Sequence, residues 1–169
     1  MRIPQKQLSL AIINSYSFYA SGLSIKESKS CLKNVPWQVL FGLIPSSVNF
    51  CLSIELSLKV ILSQNNIQFD KTHNISKLYN LLPCAIKLCL EETLAQSLQI
   101  NKEIIPNKIS SISDVFEKWR YYGIDEWQNR QLEFMFCEKM ASVLVDFLFK
   151  LNSKTAELIK NLDTDVFKK

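Results

Sequence analysis

The chain has 169 residues, of which 47% are hydrophobic and 21% are charged, with a formal net charge of +4. This length and apolar content exclude a disordered chain and predict one domain, residues 1–169, with a substantial core. The small positive charge argues against strong nonspecific nucleic-acid binding, because such binding needs many phosphate contacts. A single histidine and five cysteines without a C-x-x-C pair argue against structural zinc, so we expect neither metal nor cofactor.

The cysteines and the N-terminal apolar run indicate the cellular compartment of the protein. Four cysteines lie in apolar helical stretches, where a free thiol behaves as a small hydrophobic group: Cys51, Cys84, Cys89 and Cys137. The N-terminal apolar run is interrupted by Asn14, Ser15 and Ser17, which favours an amphipathic helix over a targeting segment. We therefore expect a cytoplasmic protein that does not bind a membrane.

The first predicted helix covers about residues 5–22 and ends near Gly22, a natural stop signal. Its apolar face is Leu8, Ile12, Tyr16, Tyr19 and Leu23. Residues 23–36 are polar and predict a loop or a short exposed helix that ends at Pro36.

The second predicted helix runs from about Pro45 to Gln64 and is apolar nearly all round, which places it at the centre of the fold. Its proline, asparagine and charged residues make it a poor membrane span. After a polar loop we predict a short helix at about residues 75–82. Pro83 then begins or kinks a helix over about 84–99. The apolar residues presented by that helix are Ala85, Ile86, Cys89, Leu90, Leu94 and Leu98.

Residues 100–112 contain Pro106, Asn107 and a serine cluster, which predict a connection. Ser113 and Asp114 can cap a fifth helix that ends at Gly123. One long amphipathic helix follows, from about residue 127 to 160. Its apolar stripe is Leu132, Met135, Phe136, Met140, Val143, Leu144, Phe147, Leu148 and Leu151. No segment alternates like a strand, so the predicted fold is all-α, an up-and-down bundle of four to five main helices.

Glu55 and Lys59 stand one helical turn apart inside the apolar second helix. On an exposed helix such a pair contributes only about 0.2–0.5 kcal/mol, whereas a buried pair must be satisfied by its neighbours. The composition favours a plain structural pair, with Lys59 extending to the surface, over a binding site.

His73 follows a loop at the start of the short helix, where Thr72 or Asn74 can serve as the cap. Its ring either fixes this turn or acts as an acid–base group near neutral pH, with Glu55 or Arg120 as partner. Arg120 lies among aromatic residues beside Tyr121, which suits recognition of a carboxylate, a phosphate or a stacked base, or an ion pair between helices.

Taken in order, these groups resemble the HEPN superfamily. The matching motifs are E-x-x-x-K at Glu55–Lys59, T-H-N-I at Thr72–Ile75 and W-R-Y at Trp119–Tyr121, within about residues 40–150. The resemblance implies a compact helical bundle, often a homodimer, linked to RNA metabolism, toxin–antitoxin pairs or phage defence. Nuclease members carry an Arg-x(4–6)-His motif, and none of the arginines here has a histidine at that spacing.

Three hypotheses follow. The first is a non-catalytic HEPN-like protein that binds a partner protein, RNA or a nucleotide. The second is a divergent metal-independent ribonuclease with His73 and Arg120 as catalytic candidates, and the third is a purely structural interaction subunit. We expect the candidate site residues to converge: Glu55, Lys59, His73, Asn74, Arg120 and Tyr121.

A homodimer is expected through the Trp119–Tyr122 region or through the last helix. Phe134 and Phe149 lie off the main apolar stripe of that helix, which predicts a second apolar surface.

Overall fold

A computed structural model describes residues 1–30, 44–113, 131–157 and 159. Six α-helices are labelled within these ranges: α1 (Leu8–Ser30), α2 (Ile44–Gln64), α3 (Ile75–Asn80), α4 (Cys84–Leu98), α5 (Ile105–Ser111) and α6 (Gln131–Leu151). Short 3-10 turns at Gln5–Gln7 and Lys102–Ile104 lead into α1 and α5. The described residues contain no strand, and the prediction of an all-α bundle is confirmed.

The direction of the helices follows from the residues that meet. Along α1 and α2 the contacts run in opposite senses, since Ile3 reaches Ser63, Ser15 reaches Ser57 and Gly22 reaches Phe50. Along α2 and α6 they run in the same sense, since Cys51 meets Cys137 and Gln64 meets Asn152. The two helices α2 and α6 therefore lie parallel, and α1 runs antiparallel to both.

The helix α2 is the centre of the core, as its nearly continuous apolar circumference predicts. Phe50, Ile54, Leu58 and Ile61 are fully buried, and the helix contacts α1, α3 and α6. Among the described helices it is also long and apolar enough to cross a membrane by length and composition. Inside the bundle, 72% of the most apolar window of α2 is buried. Such burial is usual for the central helix of a globular core.

The helix α1 does not end at Gly22, so that part of the prediction is wrong. It continues to Ser30, and Gly22 is buried against α2. A Cβ at Gly22 would lie 2.6 Å from Phe50 Cε1. This glycine therefore serves close helix packing rather than helix termination.

Two other boundaries differ from the prediction. Residues 100–112 are not a simple connection, because α5 forms there and buries Ile105 and Ile109 on one face. The last helix is interrupted at Asn152 and is helical again over residues 153–157. The side chain of Asn152 donates to the Leu148 carbonyl and accepts a hydrogen bond from Gln64. This side chain competes with the helical backbone at the end of α6.

Several apolar side chains lie elsewhere than predicted. Phe134 is buried in contact with Phe50, and Phe149 packs on Tyr16 with ring centroids 5.5 Å apart. The predicted second apolar surface formed by these two phenylalanines is therefore wrong, and the homodimer stays a prediction. The following predicted core residues are exposed instead: Cys84, Ala85, Cys89, Met135 and Leu151. The proposed fifth helix, with Trp119–Tyr122, lies outside the described residues.

Candidate functional site

The carboxylate of Glu55 lies inside the bundle and binds two partners. Its Oε1 accepts a hydrogen bond from Lys59 Nζ at 2.6 Å, and its Oε2 lies 3.0 Å from His73 Nδ1. The Glu55 residue is only 8% exposed. Both carboxylate oxygens are thus engaged, which is the condition under which a buried charge is tolerated.

Lys59 reaches Glu55 because the two residues are separated by one turn of α2. The Lys59 side chain is 12% exposed, so its ammonium group does not extend freely into solvent as a plain surface lysine does. A buried ion pair of this kind is stable only while both members are present. The pair therefore forms the fixed inner part of the cluster.

His73 is brought to Glu55 by the segment between α2 and α3. Phe69 anchors this segment upstream and Ile75 anchors it downstream, since both are buried in the core. The chain turns at Asn66, whose φ of 58° lies in the left-handed region that asparagine tolerates. Between its two apolar anchors, the His73 side chain is 56% exposed. It is the outward-facing part of the cluster.

The residues beside His73 hold the start of α3. Asn74 Oδ1 accepts a hydrogen bond from the Lys77 backbone amide at 2.8 Å, which makes Asn74 the N-cap. Thr72 Oγ1 accepts one from the Asn74 amide at 3.0 Å. Of the two alternative caps, Asn74 is therefore the one that caps α3, and Thr72 supports the turn before it. The Asn74 side chain is committed to the cap, which fixes the position of His73 indirectly.

The contact with Glu55 determines which nitrogen of His73 carries a proton. An ionised carboxylate only accepts hydrogen bonds, so His73 Nδ1 must be the donor. In the neutral ring the lone pair is then at Nε2, and in the protonated ring Nε2 is a second donor. A buried carboxylate that orients a surface imidazole is an arrangement suited to proton transfer or to binding an anionic group.

The structure brings His73 to Glu55 and Lys59 of α2, from which a loop separates it in the sequence. Asn74 is adjacent but acts as a cap. Arg120 and Tyr121, the remaining candidates for the cluster, lie outside the described residues. The predicted convergence is thus seen for the acid, the lysine and the histidine.

A separate cavity of about 510 Å³ lies between α1, α4 and α6. Its lining includes Tyr19, Lys26, Leu98, Glu138 and Lys139. None of these residues was predicted from the sequence to belong to a site. A signal was present in the sequence, because Lys139 lies between Met135 and Val143 at helical spacing and so places a charge within an apolar row.

Within the described ranges, no group of three or more His, Cys, Asp or Glu side chains is arranged to hold a metal ion. No family model matches the sequence, and no curated protein or solved structure matches it either.

Proposed function

We propose that this chain is a non-catalytic HEPN-like helical protein that binds RNA at the surface presented by His73. The observation that carries the proposal is the hydrogen bond from His73 Nδ1 to the buried Glu55 carboxylate, with the imidazole half-exposed. This bond orients a ring that is 56% exposed to solvent, and an imidazole can donate to a phosphate or accept from a ribose hydroxyl.

The charges near His73 favour an anionic ligand. Lys71 and Lys77 are exposed on either side of it in the chain, while Asp70 is the one acidic residue between positions 66 and 77. Glu55 is already compensated by Lys59 and so adds little negative field at the surface. The HEPN resemblance, which includes His73 itself, supports the same class of ligand. A toxin–antitoxin or phage-defence role belongs to the same proposal.

The test is RNA binding by a variant that keeps the inner contact. In His73→Asn, the amide NH2 can still donate to Glu55, but the outer edge of the ring is removed. We expect RNA affinity to fall at least about tenfold, the loss of one charge-assisted hydrogen bond, while the unfolding midpoint changes little. Lys154→Gln, a change of one exposed lysine remote in sequence from His73, is the control for net charge.

Two outcomes would contradict RNA binding at His73. One is an affinity of His73→Asn equal to that of wild type. The other is an equal loss in Lys154→Gln, which would assign the binding to overall charge. If His73→Asn binds normally and Glu55→Ala unfolds the protein, the cluster is a structural device that fixes the loop before α3.

A second candidate function is a ribonuclease, and the carboxylate–histidine pair is the observation that favours it. With Nδ1 protonated, Nε2 of the neutral His73 ring can take the proton from a ribose 2′-hydroxyl. Cleavage would then require the 2′-hydroxyl, so an RNA and its 2′-deoxy counterpart should be compared. Cleavage of the RNA alone, lost in folded His73→Asn, would replace the non-catalytic proposal with this one.

A further inference from the structure

The cavity between α1, α4 and α6 is lined by both apolar and charged side chains. Tyr19, Leu98 and Phe134 contribute the apolar surface, and the exposed Met135 also lines it. Its volume of about 510 Å³ falls in the range typical of small-molecule sites. The cavity is thus large enough for an organic ligand of moderate size.

The charged residues that line the cavity differ in whether they form an ion pair. Lys26 Nζ binds both carboxylate oxygens of Glu138, at 2.8 and 2.7 Å, so these two residues compensate each other. Lys139 is half-buried in the same lining, and it makes no ion pair or hydrogen bond with any residue in the described ranges. Among the described lining residues, Lys139 is therefore a positive charge without a paired acid, and it lies beside apolar side chains.

We propose that this cavity binds a small organic anion with an apolar or aromatic body, whose anionic group pairs with Lys139. The body would lie over Tyr19 and Leu98, and the hydroxyl of Ser142, which also lines the cavity, would be a polar partner. A carboxylate and a phosphate ester share this chemistry. The proposal is independent of the RNA site, because none of the cluster residues Glu55, Lys59 and His73 lines this cavity.

The probe is anilinonaphthalene sulfonate, an aromatic anion whose fluorescence rises when it enters an apolar site. We expect saturable binding to the full chain, and at least about tenfold weaker binding in Lys139→Gln because one charge-assisted contact is lost. Ser142→Phe fills the cavity without changing charge and should also abolish binding. Lys154→Gln and His73→Asn should bind the dye like wild type, with circular dichroism to verify the fold of each variant.

Competition separates the possible natural ligands. Displacement by octanoate indicates a carboxylate ligand, and displacement by adenosine monophosphate indicates a phosphate ester. Inorganic phosphate lacks the apolar body and should not displace the dye.

Three results would overturn the proposal. The first is a lack of saturable dye binding by folded wild type. The second is dye binding that stays unchanged in Lys139→Gln or in Ser142→Phe. The third is bound dye that neither octanoate nor adenosine monophosphate displaces.

Discussion

Gly22 of α1 lies directly against the ring of Phe50 in α2, so that a Cβ at position 22 would lie 2.6 Å from Phe50 Cε1. The ring cannot move away easily, because Phe50 is fully buried and also contacts Tyr19 and Phe134. We predict that Gly22→Ala lowers the free energy of unfolding by about 1–2 kcal/mol, since overpacking outweighs the helix-propensity gain. Urea unfolding measures this change. Phe50→Leu replaces the ring by a smaller side chain and should reduce the loss in free energy of unfolding that Gly22→Ala causes. If the losses of the two single variants simply add in the double variant, the contact is contradicted.

The buried pair of Glu55 and Lys59 gives a second prediction. Glu55→Ala should lower the free energy of unfolding by about 3–5 kcal/mol, because it leaves the Lys59 ammonium buried without a partner. Adding Lys59→Met removes that stranded charge and should restore much of the loss. Urea denaturation of both single variants and the double variant measures the coupling. A double variant no more stable than Glu55→Ala would show that the pair is not the reason for the loss.

The contact between α1 and α2 contains three buried serines. Ser15 Oγ lies 2.6 Å from Ser57 Oγ and 3.1 Å from the Ser53 carbonyl oxygen. Ser15→Ala should lower the free energy of unfolding by about 1–3 kcal/mol, because the buried Ser57 hydroxyl loses this partner. Ser17→Ala is the matched control, since Ser17 is exposed on the same helix and bonds only its own turn at Ile13. Equal effects of the two changes in thermal unfolding would contradict the assignment.

The cap of α3 can be tested at Asn74. Asn74→Ala should lower the free energy of unfolding by about 1 kcal/mol, since the Lys77 amide loses its side-chain acceptor. Asn74→Asp retains an acceptor at the same place and should recover most of this loss. If His73 depends on the cap for its position, Asn74→Ala should also weaken RNA binding, and Asn74→Asp should restore part of it. Chemical denaturation and binding to the same RNA measure the two effects.

The cysteines differ in exposure, which predicts their reactivity. Burial raises the pKa of the Cys137 thiol well above its usual value, and the neighbouring Cys51, with its sulfur at 3.7 Å, acts in the same direction. Iodoacetamide should therefore label the exposed Cys84 and Cys89 in the native protein, and label Cys51 and Cys137 only after unfolding. Peptide mass spectrometry identifies the labelled sites. Early labelling of Cys137 would contradict its burial.

The same pKa shift has a consequence for stability at high pH. A thiol whose pKa is raised by folding contributes stability that is present below its unfolded pKa of about 9 and is lost as the pH rises above that value. The free energy of unfolding should therefore decrease above about pH 9. Cys137→Ala should reduce the steepness of this decrease, although it lowers stability at neutral pH by leaving a cavity. Urea unfolding at pH 7 and pH 10 measures both effects.

The sequence by itself determined the helical class, the central place of α2, the position of α3 and a cap beside His73 at Thr72 or Asn74. These features depend on local patterns. They are the nearly continuous apolar circumference of α2, the absence of the polar–apolar alternation typical of strands, and an asparagine that accepts a hydrogen bond from a backbone amide three residues on. Such interactions join residues within a few positions of each other, so they can be recognised without knowing the rest of the fold.

Only the tertiary structure decided how the helices pack against one another. Gly22 reads as a helix stop in isolation, yet contact with Phe50 makes it an interior packing position. Phe134 was predicted to be exposed because it lies outside the main apolar stripe of α6, yet it is buried against the same Phe50 ring. The pairing of Glu55 with His73 depends on buried anchors at Phe69 and Ile75. In each case the deciding partner lies on another element, and its distance cannot be derived from sequence spacing.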